Sequence, residues 1–476
     1  MGPISVSARR ARRLALAALA APALTLGAAC TTPPQPTAPL LVNTTADTFD
    51  GTCDTTDCSL RDAIAASNAL APTGGLPNRI TVPAGNYALA TASPIAVTRP
   101  VIISGAGSAL TTLDVTGSTV AAPGGVIQPQ ASVVIGSLAI VSTDATPSDV
   151  LVSCTGQPVR TATVMNATAS GLAALVAECD TTVVSTAVTG PRTAIAPFAL
   201  SVSNSTVPMA SGTLDPVRMS FVSSVVTGPS AADGTIQNTA VSVQPRLNQL
   251  NVPVSFTGSR LVGVDLVLGG VAPGSLDVAV LSTSFGQTGS DGPVQLKVGA
   301  GSKARIVNST VYGGGAGGAI VVDGTLVTES VTATTNGPTI VVGATGSVTT
   351  RRSILSAASG ATCSAAINSL GRNLAVGSSC GLGAATDTSV ANEAALGLGI
   401  VDTWGNGAPS LHRLPQTGSP ALDAIPPGLP NDLDCPTEAG QGRSIDARGV
   451  LRPQGTGCDI GALELQVTPP PPEPAE

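Results

Sequence analysis

From Val101 onward the chain alternates short apolar runs with glycine, serine, asparagine and proline. Val133-Val134-Ile135, Thr182-Val183-Val184, Val202-Ser203-Asn204-Ser205-Thr206-Val207 and Ala319-Ile320-Val321-Val322 are examples. β-Branched residues in runs this short, with turn formers between them, predict strands. No helical spacing of apolar positions interrupts them as far as Ala375. Serines beside apolar residues recur: Ser259, Ser284, Ser309, Ser330 and Ser353 each sit in such a segment, at intervals of 21 to 25 residues. That period, with no helix between, predicts stacked coils, none of which buries its apolar face alone. Roughly 270 residues at about 22 per coil make about 12 coils, a rod of about 55–60 Å at the ~4.8 Å strand spacing. The register predicted stacks Ser259, Ser284, Ser309 and Ser330 in one file.

The two ends are patterned differently. Leu41 to Asp47 reads as a short strand, and Asp50-Gly51-Thr52-Cys53-Asp54-Thr55-Thr56-Asp57-Cys58 as a loop. Ser59 can then cap a helix, with Asp62 three residues on in a capping-box-like arrangement. Leu60, Ala63 and Ile64 share one face of it. Arg79 to Leu89 reads as strand, turn, strand. The last hundred residues carry His412-Arg413-Leu414, Ser419-Pro420-Ala421-Leu422-Asp423, Asp446-Ala447-Arg448-Gly449-Val450-Leu451-Arg452-Pro453 and Gly457-Cys458-Asp459-Ile460-Gly461-Ala462-Leu463-Glu464.

These ends carry a family resemblance. Cys58-Ser59-Leu60-Arg61-Asp62-Ala63-Ile64, followed by Ile80-Thr81-Val82-Pro83-Ala84-Gly85-Asn86-Tyr87, resembles the CSLREA motif region of bacterial extracellular β-helix proteins, with Asp62 for the usual Glu. The C-terminal series resembles the choice-of-anchor Q region of the same class, with Leu463 for a more usual aromatic. The resemblance implies an all-β fold, a right-handed parallel β-helix (solenoid). An N-terminal cap with one short helix and an irregular C-terminal cap would close it. It implies no single biochemical role. The divisions expected are a signal peptide at 1–29, a Pro/Thr-rich tether at 30–40, the N-terminal cap at 41–100, the β-helix at 101–375, the anchor-like region at 376–466 and a Pro-rich tail at 467–476.

Composition narrows the class further. Among 476 residues only 11% are charged and 2% aromatic, with 54 glycines and 38 prolines. Small hydroxylated and aliphatic residues must therefore form the surface and core, as in secreted all-β chains. Arg9, Arg10, Arg12 and Arg13 precede an apolar run from Leu14 to Leu26, then Gly27-Ala28-Ala29-Cys30. A basic start, a short apolar stretch and small residues form an export signal, too short to span a bilayer. Four of the 22 basic residues and none of the 29 acidic ones precede Cys30, so the remainder carries a net charge of −11. That balance excludes nucleic acid as a partner.

Nine cysteines leave one over in an exported chain. Leu26-Gly27-Ala28-Ala29-Cys30 resembles a lipobox, so Cys30 is expected to carry a lipid, with ordinary signal-peptidase release as the alternative. The others fall into sequence-adjacent pairs, Cys53 with Cys58, Cys154 with Cys179, Cys363 with Cys380 and Cys435 with Cys458. Disulfides are expected over metal binding, because no Cys-x-x-Cys occurs and His412 is the single histidine. Eight cysteines nevertheless allow 105 pairings.

No catalytic constellation emerges. A Ser-His-Asp triad or a histidine metal site would rest on His412 alone. Asp265, Asp277, Asp291 and Asp323, with Lys297, Lys303 and Arg305, are the carboxylates and cations through which a β-helix could hydrolyse or cleave a polysaccharide. None of these carboxylates forms an Asp-x-Asp or Asp-Asp pair, and Tyr87, Tyr312 and Trp404 are too scattered to promise a sugar-stacking platform. Asp446, Arg448, Arg452 and Asp459 read as hydrogen-bonded pins for an irregular segment. Leu414-Pro415-Gln416-Thr417-Gly418 matches a sortase pattern, but Ser419-Pro420 and further polar chain follow it instead of an apolar segment with a basic tail.

The expectation is thus a secreted protein on the outer face of the cell envelope, lipid-anchored, without catalytic residue, cofactor or metal. Its role would be structural, adhesive or surface-interacting, toward a surface polysaccharide or another envelope or host protein. The alternatives are a polysaccharide lyase or glycoside hydrolase on the same scaffold, and a non-catalytic carbohydrate-binding protein.

Overall fold

The computed structural model describes residues 39–89, 93–117, 124–144, 149–157, 161–189, 194–195, 197, 199–209, 212–214, 216–227, 239–243, 252–262, 264–269, 275–286, 295–313, 317–404, 410–428, 435 and 445–466. The expected leader, Cys30, Asp291 and the Pro-rich tail lie outside them.

Strands pair with the next coil rather than with their sequence neighbours. Asn78–Val82 runs parallel to Val101–Gly105, which runs parallel to Val133–Gly136, and the relay continues through a 14-stranded sheet ending at Asn368–Ser369. A second 14-stranded sheet runs from Gly85–Ala88 to Thr388–Val390. The third face has a five-stranded stretch from Ile95–Val97 to Ala194–Ile195 and a six-stranded one from Gly212–Leu214 to Ile340–Val342. This is a right-handed parallel β-helix, the hand that right-twisted strands impose on parallel crossovers.

Side chains alternate across a strand, so every second residue of the first sheet points inward. Ile80, Ile103, Ile135, Val164, Val183, Val202, Phe221, Phe256, Val280 and Ile306 stand in one file, each paired with the next. Phe221 and Phe256 stack with ring centroids 5.1 Å apart. The file then turns polar. Thr328 follows Ile306, and its hydroxyl donates to Thr350 Oγ1 at 2.8 Å. Thr350 donates to Asn373 Oδ1 at 3.2 Å, and Asn373 Nδ2 donates to Ser369 Oγ at 2.9 Å and Asp387 Oδ1 at 3.1 Å. This file ends in a hydrogen-bonded plug near the last strands, while Leu326, Val348 and Leu355 keep the rest of those coils apolar.

Between the first and second sheets the chain turns on a residue of positive φ: Asn166, Ser185, Asn204, Ser223, Gly258, Ser282, Asn308, Ser330 and Arg352 in successive coils. Asparagine and glycine accept this left-handed conformation most readily. The turn interrupts the backbone ladder at the next residue, whose buried N–H then needs another acceptor. A hydroxyl one coil on supplies it. Thr186 N donates to Ser205 Oγ at 3.1 Å, Ser205 N to Ser224 Oγ at 3.4 Å and Ser224 N to Ser259 Oγ at 3.3 Å. Ser259 N continues to Thr283 Oγ1 at 3.4 Å, and Thr283 N to Ser309 Oγ at 3.1 Å. Each hydroxyl passes its own hydrogen to a carbonyl two residues back, as Ser205 does to Ser203 O at 2.7 Å.

This ladder corrects the serine register. Ser259 and Ser309 belong to it. Ser284 sits one residue beyond, paired with Arg260 and Thr310, while Ser330 is itself a positive-φ corner residue. Thr283 and Val331 take the ladder positions instead. Coil lengths also vary more than the serine intervals implied, since ladder partners are separated by 19, 19, 35, 24 and 26 residues in turn.

At the N-terminal end the helix Leu60–Ala69 packs beside the first coils. Ser59 Oγ accepts from Asp62 N at 3.0 Å, and Asp62 Oδ1 accepts from Asp50 N and Gly51 N, each at 3.0 Å, fastening the preceding loop to the helix. Arg61 grips Asp47 with two nitrogens, at 2.9 and 3.0 Å. The C-terminal region does more than cap. Beyond Val390 it lies along the outer face of the second sheet: Asn308 Nδ2 donates to Ile445 O at 2.8 Å and Ala462 N to Thr332 Oγ1 at 2.9 Å. Ile354 and Leu374, which point outward from that sheet, are buried there with Leu396, Ala421, Ile425 and Ile460. It is a strap on the flank.

Four disulfides tie these parts, Cys53–Cys58, Cys154–Cys179, Cys363–Cys380 and Cys435–Cys458, with Cα separations of 4.2, 5.2, 4.7 and 5.7 Å. They are the sequence-adjacent pairs, and they fit a compartment in which thiols oxidise.

The ladder predicts a chemical asymmetry at its corners. Ser259→Ala strands the Ser224 N–H and is expected to cost about 1–3 kcal/mol, whereas Ser259→Thr, which keeps the hydroxyl, is expected to melt near the wild-type temperature. Equal melting of the alanine and threonine variants would show that the hydroxyl bears no such load.

Candidate functional surface

The outward residues of the first sheet are the natural place to look, because the strap lies along the second. Thr163, Thr182, Ser201, Ser220 and Ser255 stand in file across consecutive coils, each paired with the next. Ser255 Oγ donates to Ser220 Oγ at 3.0 Å, a cross-strand bond of the kind that steadies neighbouring hydroxyls. Thr182, Ser201, Ser220 and Ser255 line a trough of about 460 Å³, flanked by Asp180 and Arg218. Asp180 and Arg218 lie two coils apart, with Ala199 between them, so the trough is flanked by one acid and one base. One Asp180 oxygen is buried with no hydrogen-bond partner among the described residues. Such a face offers donors and acceptors at strand spacing to a long, uncharged partner.

The charged residues singled out in the body do not converge. Asp277 stands opposite Lys303 on the first sheet. Asp323 pairs with Lys297 at 3.4 Å, near the third face. Asp265 lies on the third sheet, and its side chain is outside the described residues. Arg305 instead serves Glu329, which it meets at 2.8 Å while Arg351 meets the same oxygen at 3.0 Å. Burial pushes the Glu329 carboxyl up, but the two guanidiniums outweigh it and hold the group below its ordinary value. This bridge ties three coils of the first sheet.

A carboxylate pair that the sequence reading missed lies at the N-terminal end. Asp149, 4% exposed, accepts from Ser142 Oγ at 2.8 Å. Burial pushes its carboxyl up against the opposing pull of the Ser142 hydrogen bond, and the neighbouring Asp144 carboxyl adds to the rise. Four intervening residues hide the pair from a search for adjacent acids.

The C-terminal charges are pins, as their density suggested. Arg448 holds Asp446 Oδ2 with Nε at 2.9 Å and Nη2 at 2.7 Å. Arg452 meets Glu464 Oε2 at 3.1 Å and the carbonyls of Asp459 and Gly461 at 2.9 and 2.8 Å. Asp446, Arg452, Asp459 and Glu464 are all buried. His412 belongs to the same strap. It is fully buried, with Nδ1 2.7 Å from Thr310 Oγ1, and Nε2 has no partner among the described residues. Burial lowers its pKa to about 4, against the pull of nearby Asp446, so the imidazole is neutral at pH 7. Tyr87 is buried in the core, and the Trp404 side chain lies outside the described residues. No cluster of three or more His, Cys, Asp or Glu suited to a metal occurs among the described residues.

No family model matches the sequence, and no curated protein matches it. Among solved structures, the chain is similar to the catalytic domain of a GH87 α-1,3-glucanase in complex with nigerose, at 12% identity and a TM-score of 0.39, over 75% of this chain and 69% of that one. It is also similar to the ORF18 protein of Geobacillus virus E2, at 13% identity and a TM-score of 0.33. The match covers 63% of this chain and 57% of the viral protein, so it spans little more than half of that protein's length. The A-module of the Azotobacter vinelandii mannuronan C-5 epimerase AlgE6 follows at 14% identity and a TM-score of 0.26, over 70% of this chain and 93% of that one.

His412 and Glu464 give the strap opposing pH dependences. The folded histidine binds its proton more weakly than the unfolded one (about 4 against 6.5), so its share of stability falls as pH drops from 6.5 toward 4. Glu464, pushed up by burial from 4.5 to about 7, loses stability as pH rises through the same region. Comparing wild type with His412→Gln isolates the first effect. Relative to the variant, wild type is expected to lose about 3 kcal/mol between pH 6.5 and pH 4. A stability difference that stays constant across that range would place the imidazole in water.

Proposed function

We propose that this chain is an exported cell-envelope β-helix, held to a membrane by a lipid on Cys30, that binds a neutral polysaccharide along its first sheet without cleaving it. The carrying observation is the hydroxyl file Thr163-Thr182-Ser201-Ser220-Ser255 in its trough, flanked by isolated charges. A saccharide chain presents hydroxyl groups at each ring, and a sheet face repeating at about 4.8 Å can meet them coil by coil. The net charge of −11 after Cys30 disfavours polyanionic partners. The basic leader, the odd cysteine and the four disulfides support export and anchoring. So does the resemblance of both ends to CSLREA and choice-of-anchor Q proteins, which makes an extracellular display role the natural reading.

One observation favours turnover instead. Asp149 Oδ2 and the Asp144 backbone N–H both bond Ser142 Oγ, and burial keeps Asp149 protonated more readily than an ordinary carboxyl, as a general acid requires. They sit away from the hydroxyl trough, Asp144 just after Ala139–Val141 of the second sheet and Asp149 just before Val150–Ser153 of the third. That separation supports binding without cleavage at the trough.

Protein isolated from the envelope fraction tests this reading in one preparation. The mature N-terminus is expected to be Cys30 carrying diacylglycerol, and the protein is expected to be retarded by neutral glucans in affinity electrophoresis but not by polyuronate. Ser201→Phe and Ser220→Phe fill the trough from outside the core and are expected to weaken retention about tenfold, the loss of one or two hydrogen bonds at about 0.5–1.5 kcal/mol each. Retention that ignores both variants sinks the surface, and shortening of the glucan chains would make the protein an enzyme.

A further inference from the structure

The strap builds a second concavity, chemically unlike the trough. Its hairpin, Leu398–Trp404 against Ser410–Pro415, pairs Val401 with Arg413. Together with the second sheet it encloses a groove of about 440 Å³, lined by Tyr312, Thr334, Asn336, Glu393, Ile400 and Arg413, among others. Tyr312 and Thr334 stand opposite each other in one outward file of that sheet.

Arg413 is fixed before any ligand arrives. Its Nε donates to Gly399 O at 2.8 Å, Nη2 to Leu398 O at 3.4 Å, and Nη1 to Glu393 Oε1. Those bonds use three of the five N–H groups of a guanidinium. Among the described residues the other two, and Glu393 Oε2, have no partner. Both side chains remain partly open, Arg413 at 15% and Glu393 at 31% exposure. The Asn336 amide is exposed beside them. Thr334, 2% exposed, has a hydroxyl without a partner. Ile400 is 85% exposed, the most open large apolar side chain among the described residues.

We propose that this groove is a binding site for a single pyranose ring bearing a vicinal diol, separate from the first-sheet surface and independent of that reading. The neutralised Arg413–Glu393 pair selects against free anions and cations alike, because each ion would meet one like charge. Side by side, a spare N–H and a spare carboxylate oxygen match two adjacent hydroxyls, each of which both donates and accepts. The Tyr312 ring and Ile400 supply apolar surface for the C–H faces of a ring, with the Asn336 amide available to a third hydroxyl. An open-chain polyol has the hydroxyls but lacks the flat apolar face.

Saturation-transfer NMR on the full chain tests it, with methyl α-glucopyranoside, methyl α-mannopyranoside and methyl α-galactopyranoside as probes and sorbitol beside them. At least one pyranoside is expected to bind at millimolar concentration while sorbitol does not. Tyr312→Ala, Glu393→Gln and Asn336→Ala are each expected to weaken binding at least about threefold, a loss of one hydrogen bond or one apolar contact. Asn336→Ala changes an exposed side chain and keeps the test valid if Glu393→Gln loosens the strap. Ser220→Phe, in the trough, is expected to leave pyranoside binding unchanged. Absence of binding by all three probes, equal binding by sorbitol, or indifference to the groove variants overturns the site. Loss of binding in Ser220→Phe would assign the pyranoside to the first sheet and overturn it equally.

Discussion

A coil of this protein cannot bury its own apolar face, so the structure depends on each coil meeting the next in a single register. The corner between the first and second sheets is where that register is most constrained. There a left-handed residue interrupts the backbone ladder, and the stranded N–H finds a serine or threonine hydroxyl one coil away. A one-residue slip would leave these buried donors unpaired and turn the inward file of Ile, Val and Phe toward water. The ladder tolerates connections of different length because it fixes only the corner. Coils of 19 and 35 residues therefore stack on one another without losing step.

With the register fixed, the faces acquire different fates. The central outward file of the first sheet is small and hydroxylated from Thr163 to Ser255, and farther along the sheet Glu329 bridges Arg305 and Arg351. Outward residues of the second sheet include Ile354 and Leu374, which water would not favour, and the strap covers them. The strap itself has little apolar material. It is held by the Cys435–Cys458 disulfide and by buried arginine–carboxylate bonds around Asp446, Arg452 and Glu464. On the proposed reading, one face serves a long partner and the seam between strap and sheet a small one.

Local features were legible in the sequence. Ser59 and Asp62 announce the helix because capping is a contact over three residues, and the cysteine pairs are close in sequence because coils touch only their neighbours. Register was harder. Serine serves both as a corner residue, at Ser185 and Ser330, and as a ladder residue, at Ser259 and Ser309, so aligning serines alone shifted Ser284 and Ser330 by one place. The flank position of the strap was invisible for another reason. Its contacts join residues 102, 130 and 137 positions apart, and no periodicity crosses such a distance. The groove suffered likewise: Tyr312 looked isolated until the strap brought Arg413 and Glu393 to it.

The central functional claim is that a glycan lies along the first sheet in step with the coils. A crystal structure of the protein with a neutral glucan oligosaccharide tests it most directly. Density is expected over Thr182, Ser201, Ser220 and Ser255, with sugar hydroxyls within hydrogen-bonding distance of successive side chains and every glycosidic bond intact. An oligosaccharide seated instead beside Asp144 and Asp149, or found cleaved there, would contradict a passive binding face.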